Sequence, residues 1–292
     1  MKVLVVGHEG QLGRDLLFTA PGNVQVIGYD LNELDISLPD EVNETVNRVL
    51  PDTIINAAAY TAVDKAESDV EVAFRVNAGG PANLAIAARS SDSRLIHIST
   101  DYVFDGMKNT PYLPSDPVNP LGVYGKSKAD GEKQVLDCYP ENSVIIRTAW
   151  LYSTCGHNFV KTMLKLMQEK DEITVVSDQT GSPTWSRNLA QIIWKFIHAD
   201  VPAGIYHWTD AGTATWHDYA RAIHDISMSI GLLDRKVKII PVTSAEYPTA
   251  APRPRYSVLE TGITSHMLGV KNRDWRAALT EMLTEFKKLH HA

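Results

Sequence analysis

The sequence predicts an α/β fold: a doubly wound parallel sheet followed by a smaller C-terminal α/β domain. The chain opens on an unbroken apolar run, Lys2-Val3-Leu4-Val5-Val6, as expected of a strand covered on both faces. That run enters Gly7-His8-Glu9-Gly10-Gln11-Leu12-Gly13 and then a helix over residues 14–17, a strand–turn–helix with glycines three apart. Strand-like and helix-like stretches then alternate to about residue 150 and loosen beyond it, which divides the chain into 1–150 and 151–292. A segment near 185–210 is expected to return to the first part.

Composition narrows the class. At 292 residues, 44% hydrophobic and 22% charged, the chain is long enough to bury a sizeable core. A formal net charge of −7 argues against general affinity for nucleic acid or an anionic membrane surface. With only Cys138 and Cys155 there is no disulfide framework, so a cytoplasmic setting is expected. No apolar run is long enough to span a bilayer. The ten histidines show no metal-ligand spacing, and no Gly-x-Ser-x-Gly elbow appears.

In chain order, Gly7 is read as permitting the tight turn, Gly10 as letting backbone approach a pyrophosphate, and Gly13 as allowing close helix–strand packing. Gln11 and Leu12 belong to the same loop as cofactor contacts, and the helix N-terminus that follows offers free amides that suit phosphate. A second strand at 24–29 ends in Asp30, about 20 residues beyond the loop, where a carboxylate would accept from an adenosine ribose and favour NAD over NADP; equally, it would cap its own loop. Asp35 and Ile36 open the next loop, beside the adenine. A helix over 40–50 stops at Pro51. A third strand, 53–59, runs into Ala57-Ala58-Ala59-Tyr60, small residues that let a cofactor pass close to the backbone. Helices are expected at 64–75 and 80–90 with Asn77 between them. A fourth strand, 94–99, delivers Ser99-Thr100-Asp101 to the carboxyl rim, where open α/β sheets bind ligands. A proline-marked loop follows, then a helix containing Tyr124-Gly125-Lys126-Ser127-Lys128, and a fifth strand over 143–150.

Tyr124 and Lys128 lie one helical turn apart on one face. A phenol is a poor acid or base at neutral pH, and a nearby ammonium would draw its pKa down. Such a pair would pass a proton to or from a carbonyl or alcohol oxygen. Gly125-Lys126-Ser127 imitates the end of a P-loop, but that motif needs glycine where Pro120 stands. Beyond 150, helices are read at 159–170, 188–198, 216–230 and 275–289, and strands at 173–176, 205–208 and 237–242. Arg253-Pro254-Arg255 is a basic knot, either a grip for a diphosphate or surface charge.

With Gly7 to Gly13, Asn56 to Glu67, Ser99-Thr100-Asp101-Tyr102-Val103-Phe104, Tyr124 to Lys128, Arg147-Thr148-Ala149-Trp150, Asp178 to Thr184 and Arg253-Pro254, the chain resembles the extended short-chain dehydrogenases/reductases. More narrowly, it is similar to the dTDP-4-dehydrorhamnose reductase family. The resemblance implies a Rossmann-type cofactor domain, NADPH or NADH, and a dTDP-sugar whose 4-keto group is reduced. It implies Tyr124 as proton donor, Lys128 on the nicotinamide ribose, Thr100 on the ketone, and Asp101, Val63, Trp150 and Arg253 placing the sugar. Some family members bind magnesium at a dimer interface; the aligned positions here are Asp15 and Arg187, so no metal is expected, and any homodimer would be held differently. The rival readings are a different nucleotide-sugar reductase or epimerase, and a non-catalytic subunit like the regulatory partner of methionine adenosyltransferase.

Overall fold

The computed structural model describes residues 1–199 and 201–290. In chain order β1 (Lys2–Val6), α1 (Gln11–Phe18), β2 (Gln25–Tyr29), α2 (Pro39–Val49) and β3 (Thr53–Asn56) open the molecule. Helices α3 (Val63–Ala66), α4 (Val70–Phe74) and α5 (Gly80–Ser90), then β4 (Arg94–Thr100), α6 (Val123–Cys138) and β5 (Ser143–Thr148), complete its first half. The strands are all parallel, in the order β2-β1-β3-β4-β5, and β10 (Gly204–His207) adds the sixth beside β5. The chain leaves β1 toward one edge and returns at β3 toward the other. The strand ends at β1 and β3 therefore splay apart, and that crevice is where such a sheet binds ligands.

β1 shows why the run Val3 to Val6 carries no polar residue. Val3 and Val5 pack with Leu12, Leu16 and Ile193 on one face, while Leu4 and Val6 pack with Val42, Val46 and Leu84 on the other. Period-two alternation with both faces covered leaves no place for a charge.

Beyond β5 come β6 (Leu151–Tyr152), α7 (Phe159–Glu169), β7 (Glu172–Val176), β8 (Thr180–Gly181), β9 (Thr184–Trp185) and α8 (Ser186–His198). After β10 follow β11 (Ala214–Thr215), α9 (Trp216–Ser229), β12 (Lys238–Val242), α10 (Gly262–Leu268) and α11 (Trp275–His290). Val160, Met163, Trp185, Tyr219, Trp275 and Leu279 form a separate core here. α8 crosses back, packing Leu189 and Ile193 with Leu12 and Leu16 of α1.

Three expectations need correction. The third strand stops at Asn56, because the Asn56 side chain accepts from Ala58 N–H at 3.1 Å and turns the chain out of the sheet. The helix expected over 64–75 is broken into α3 and α4, and a π-turn at Arg75–Gly79 joins α4 to α5 without the expected gap. The fifth strand ends at Thr148, and Trp150 adopts a left-handed φ of 46°. No helix among the described residues is long and apolar enough to cross a membrane.

Candidate active site

A cleft of about 920 Å³ opens over the carboxyl ends of β1, β3, β4 and β5. Its near wall is the glycine turn. Gly7 sits at φ 81°, and a Cβ there would lie 2.7 Å from Ala58 N. Gly13 lies behind the turn, where a Cβ would come within 2.2 Å of Gly7 O. α1 begins after Gly10 with no side-chain cap, so its first amides are left for a ligand beside Gly10, Gln11 and Leu12, which line the cleft. Ala57, Ala58, Ala59 and Tyr60 form the floor, and Asp30, Asp35 and Ile36 the far end. The Asp30 carboxylate accepts from Glu9 N–H at 2.9 Å and from Leu31 N–H at 2.8 Å, so it ties β2 to the glycine turn while also lining the cleft.

The opposite wall joins the end of β4 to α6. Ser99, Thr100 and Asp101 line the cleft together with Tyr124 and Lys128. Two contacts fix α6 there. Arg147 of β5 is buried and forks onto Glu132 of α6 at 2.8 and 2.6 Å. Asn77 in the π-turn exchanges hydrogen bonds with the Tyr60 backbone (2.8 and 3.0 Å) and donates to Ser127 Oγ at 3.0 Å. Gly131 is required at this crossing, since a Cβ would lie 2.1 Å from Asn77 O.

The titrating groups are shifted mainly by burial. Burial pushes Tyr124 up to about 12; the Thr100 hydroxyl pulls it partly back and Asp101 pushes it further. This corrects the expectation that Lys128 draws the phenol down. The Lys128 amine is turned elsewhere: Nζ donates to Ile98 O at 2.7 Å and lies 3.3 Å from His97 Nε2, and burial pushes its own pKa down to about 8. Asp101 is raised to about 6 by burial, with Ser257 and Thr100 opposing. The Thr100 hydroxyl donates to Asp101 Oδ1 at 3.0 Å and accepts from Tyr102 N–H at 3.2 Å. A phenol held this high keeps its proton at neutral pH, which suits an acid rather than a base.

Ser99 Oγ, Asp101 Oδ2 and Thr148 Oγ1 are buried at this wall without a hydrogen-bond partner among the described residues. Buried polar atoms left open cost free energy unless something fills the cleft. Open polar atoms on one wall and uncapped amides on the other fit an elongated ligand with an anionic middle and a polar reacting end.

Trp150 also lines the cleft and stacks on Trp216 with ring centroids 3.5 Å apart and planes nearly parallel. Gly181 accommodates it, because a Cβ there would lie 2.5 Å from the Trp150 ring. Val63 also lines the cleft. Arg253 does not. Its guanidinium forks onto Asp64 at 3.0 and 2.7 Å. Asp15 and Arg187 form an ion pair at 3.0 Å, and Arg187 also pairs with Glu285. Ser153 and Ser186 donate to the same Asp15 carboxylate, which is thereby engaged within the chain. No group of three or more potential metal ligands occurs among the described residues.

The sequence carries no sign of Asn77 as a latch, of Thr148 and Trp216 as lining residues, or of the Asn56–His97 contact behind Lys128. Asn56 opens the Asn56-to-Glu67 motif and His97 lies in a strand expected to be buried, but nothing local signals that the two touch.

Residues 1–288 match the family described as the RmlD substrate binding domain. The dTDP-4-dehydrorhamnose reductase of Aggregatibacter actinomycetemcomitans is 43% identical, the match covering 95% of this chain and 97% of the relative. The dTDP-4-keto-6-deoxy-D-glucose reductase of Streptomyces niveus is 40% identical, covering 95% of each chain. Among solved structures, the dTDP-4-dehydrorhamnose reductase of Bacillus anthracis in complex with NADP superposes with a TM-score of 0.91 at 36% identity, covering 97% of this chain and 99% of that one.

Proposed function

The chain belongs to the RmlD substrate binding domain family, and on that premise we propose that it reduces the 4-keto group of dTDP-6-deoxy-L-lyxo-4-hexulose to give dTDP-L-rhamnose, using NADPH or NADH. The observation that carries the reading is the meeting of Tyr124, Thr100 and Asp101 at one wall of a cleft whose other wall is an uncapped helix start. Bound there, the reduced nicotinamide supplies the hydride that carbon 4 of the sugar accepts. The chain's own residues do the rest. Gly7, Gly10, Gln11 and Leu12 hold the diphosphate of the cofactor, with Gly13 keeping the helix close, and Asp30, Asp35 and Ile36 surround its adenosine. Ala57, Ala58, Ala59 and Tyr60 form the floor, and Lys128 holds the nicotinamide ribose. Tyr124 gives its proton to the ketone oxygen as the alcohol forms. On binding, the Thr100 hydroxyl turns its one hydrogen from Asp101 to the same oxygen, while Asp101, Val63 and Trp150 set the pose of the sugar.

In this reading residues 1–150, with 185–210, form the cofactor unit and most of 151–292 closes over the sugar. Both cysteines are free, which supports a reducing cytoplasm as the working compartment. The Streptomyces relative favours a second reading at one point, the sugar isomer, because the substrate in its name differs while its identity is nearly the same.

The test is to supply the purified protein with each reduced cofactor and each 4-keto isomer, and to follow loss of nicotinamide absorbance. Loss that depends on the lyxo isomer, with dTDP-L-rhamnose as product, is the expected result. Loss with the D-gluco precursor alone would select the second reading, and no loss with either would overturn both.

A further inference from the structure

Behind the cleft, three side chains from three elements meet in a fully buried row. The Asn56 amide at the end of β3 is oriented by Ala58, whose N–H donates to Asn56 Oδ1 at 3.1 Å. Its Nδ2 therefore points to His97 Nδ1, 3.0 Å away on β4. A donor at that distance requires a lone pair on Nδ1, so the neutral ring carries its hydrogen on Nε2. His97 Nε2 in turn lies 3.3 Å from Lys128 Nζ on α6. The ring is 0% exposed, so a second proton on it, beside a cationic lysine, is strongly disfavoured. Two N–H groups cannot share one contact; for the row to close, Nζ accepts through its own lone pair while donating to Ile98 O at 2.7 Å.

We propose that His97 is a positioning residue, held by Asn56 with its hydrogen on Nε2, which donates to Lys128 and biases it toward the neutral amine. Burial lowers the proton affinity of Lys128, and burial and Lys128 together hold His97 well below the usual imidazole range, so a neutral ring beside the amine is what the site favours. Other charges around Lys128 do not supply the bias. On α6, Tyr124 stays neutral and Glu132, which favours the charged lysine, is paired with Arg147 of β5. Asp101 beyond β4 would also favour the charged form. Glu67, just beyond α3, is tied to Val123 N–H at the start of α6 at 2.8 Å, Arg75 of the π-turn lines the outer cleft, and Arg89 of α5 faces Glu141 at the surface. β3 offers only the neutral Asn56.

The kinetic consequence rests on the reduction proposed above: after Tyr124 gives up its proton, Lys128 can help restore it only while it carries one. The alkaline limb of turnover should then follow Lys128, near pH 8 rather than near the ordinary lysine range.

The tautomer is read in the protein alone. Long-range ¹H–¹⁵N spectra of ¹⁵N-histidine-labelled, ligand-free protein should show His97 protonated on Nε2 and bare on Nδ1; the reverse pattern overturns the proposal. Two variants then reverse the bias by different routes. In Asn56→Asp a carboxylate accepts from Nδ1, which leaves Nε2 bare toward Lys128; in His97→Gln the amide oxygen turns to Nζ. Both should move the alkaline limb of kcat/KM up by at least one pH unit, even where kcat itself falls. A limb that stays in place while kcat falls would assign His97 and Asn56 to packing only and overturn the proposal. If His97→Gln prevents folding, the spectra and Asn56→Asp still decide. Absence of nicotinamide oxidation by the wild type at every pH would instead count against the reduction, leaving the tautomer to be judged from the spectra.

Discussion

Replacing Asp101 with asparagine should make the protein more stable and less active at the same time. The carboxyl titrates at about 6 in the fold against 3.8 in the unfolded chain, chiefly through burial. A difference of about 2 units corresponds to about 3 kcal/mol. The sign follows from linkage: a carboxyl whose pKa is raised by folding contributes stability while protonated, fully below about pH 4, and loses it as pH rises through 6. At pH 8 the wild type therefore carries the whole cost of an ionised, 2%-exposed carboxylate. The asparagine side chain cannot ionise, keeps an acceptor for the Thr100 hydroxyl, and places its amide where Oδ2 has no partner among the described residues. Urea unfolding should show Asp101→Asn more stable than wild type by about 3 kcal/mol at pH 8, the gap shrinking below about 1 kcal/mol by pH 4. Turnover should fall in parallel, because the charge that orients Thr100 is gone. A variant no more stable than wild type at pH 8, or a gap independent of pH, would refute the assignment of Asp101 as a carboxyl held against its solvation preference.

Tyr124→Phe should lower kcat by about 10²- to 10⁴-fold and leave cofactor affinity, read by nicotinamide fluorescence, nearly unchanged; retained turnover would remove the tyrosine from the proton path. Gly181→Ala would put a Cβ 2.5 Å from the Trp150 ring, at a cost of about 1–3 kcal/mol if the stack with Trp216 must shift. The expected readout is a raised KM for the sugar and altered tryptophan fluorescence, and an unchanged KM would detach Trp150 from substrate placement. Asp30→Asn removes a negative charge from the adenosine end of the cleft; the ratio of kcat/KM for NADPH to that for NADH should rise several-fold, roughly 1 kcal/mol in NADPH's favour.

The fold was legible where local pattern and tertiary role coincide. The apolar run Val3 to Val6 is buried on both faces, and the glycines at 7, 10 and 13 recur where backbone packs against backbone. Tyr124 and Lys128 were legible because helical spacing alone puts them on one face. What was not legible depends on chain segments far apart. The Asn56–His97 contact spans 41 residues and the His97–Lys128 contact 31. Arg253 reads in the sequence as either a diphosphate grip or surface charge, and its pairing with Asp64, 189 residues away, leaves no local signal. Two-residue strands such as β8 and β9 are too short to show any period, so they left no signal. The direction of the Tyr124 shift was misread for a related reason: spacing places a lysine nearby, but only the packed interior shows that its amine is turned to Ile98 and His97 and that burial dominates.

In the proposed reaction this cleft moves a hydride to carbon 4 of a dTDP-linked keto sugar and releases the oxidised cofactor. The most direct test uses NADPH or NADH carrying deuterium at the transferable position of the nicotinamide, with the 4-keto sugar in excess and the product read by NMR. The expected product carries one deuterium at carbon 4 of dTDP-L-rhamnose for each oxidised cofactor formed. Product without deuterium, or a sugar altered in configuration with the cofactor returned in its original redox state, would contradict it.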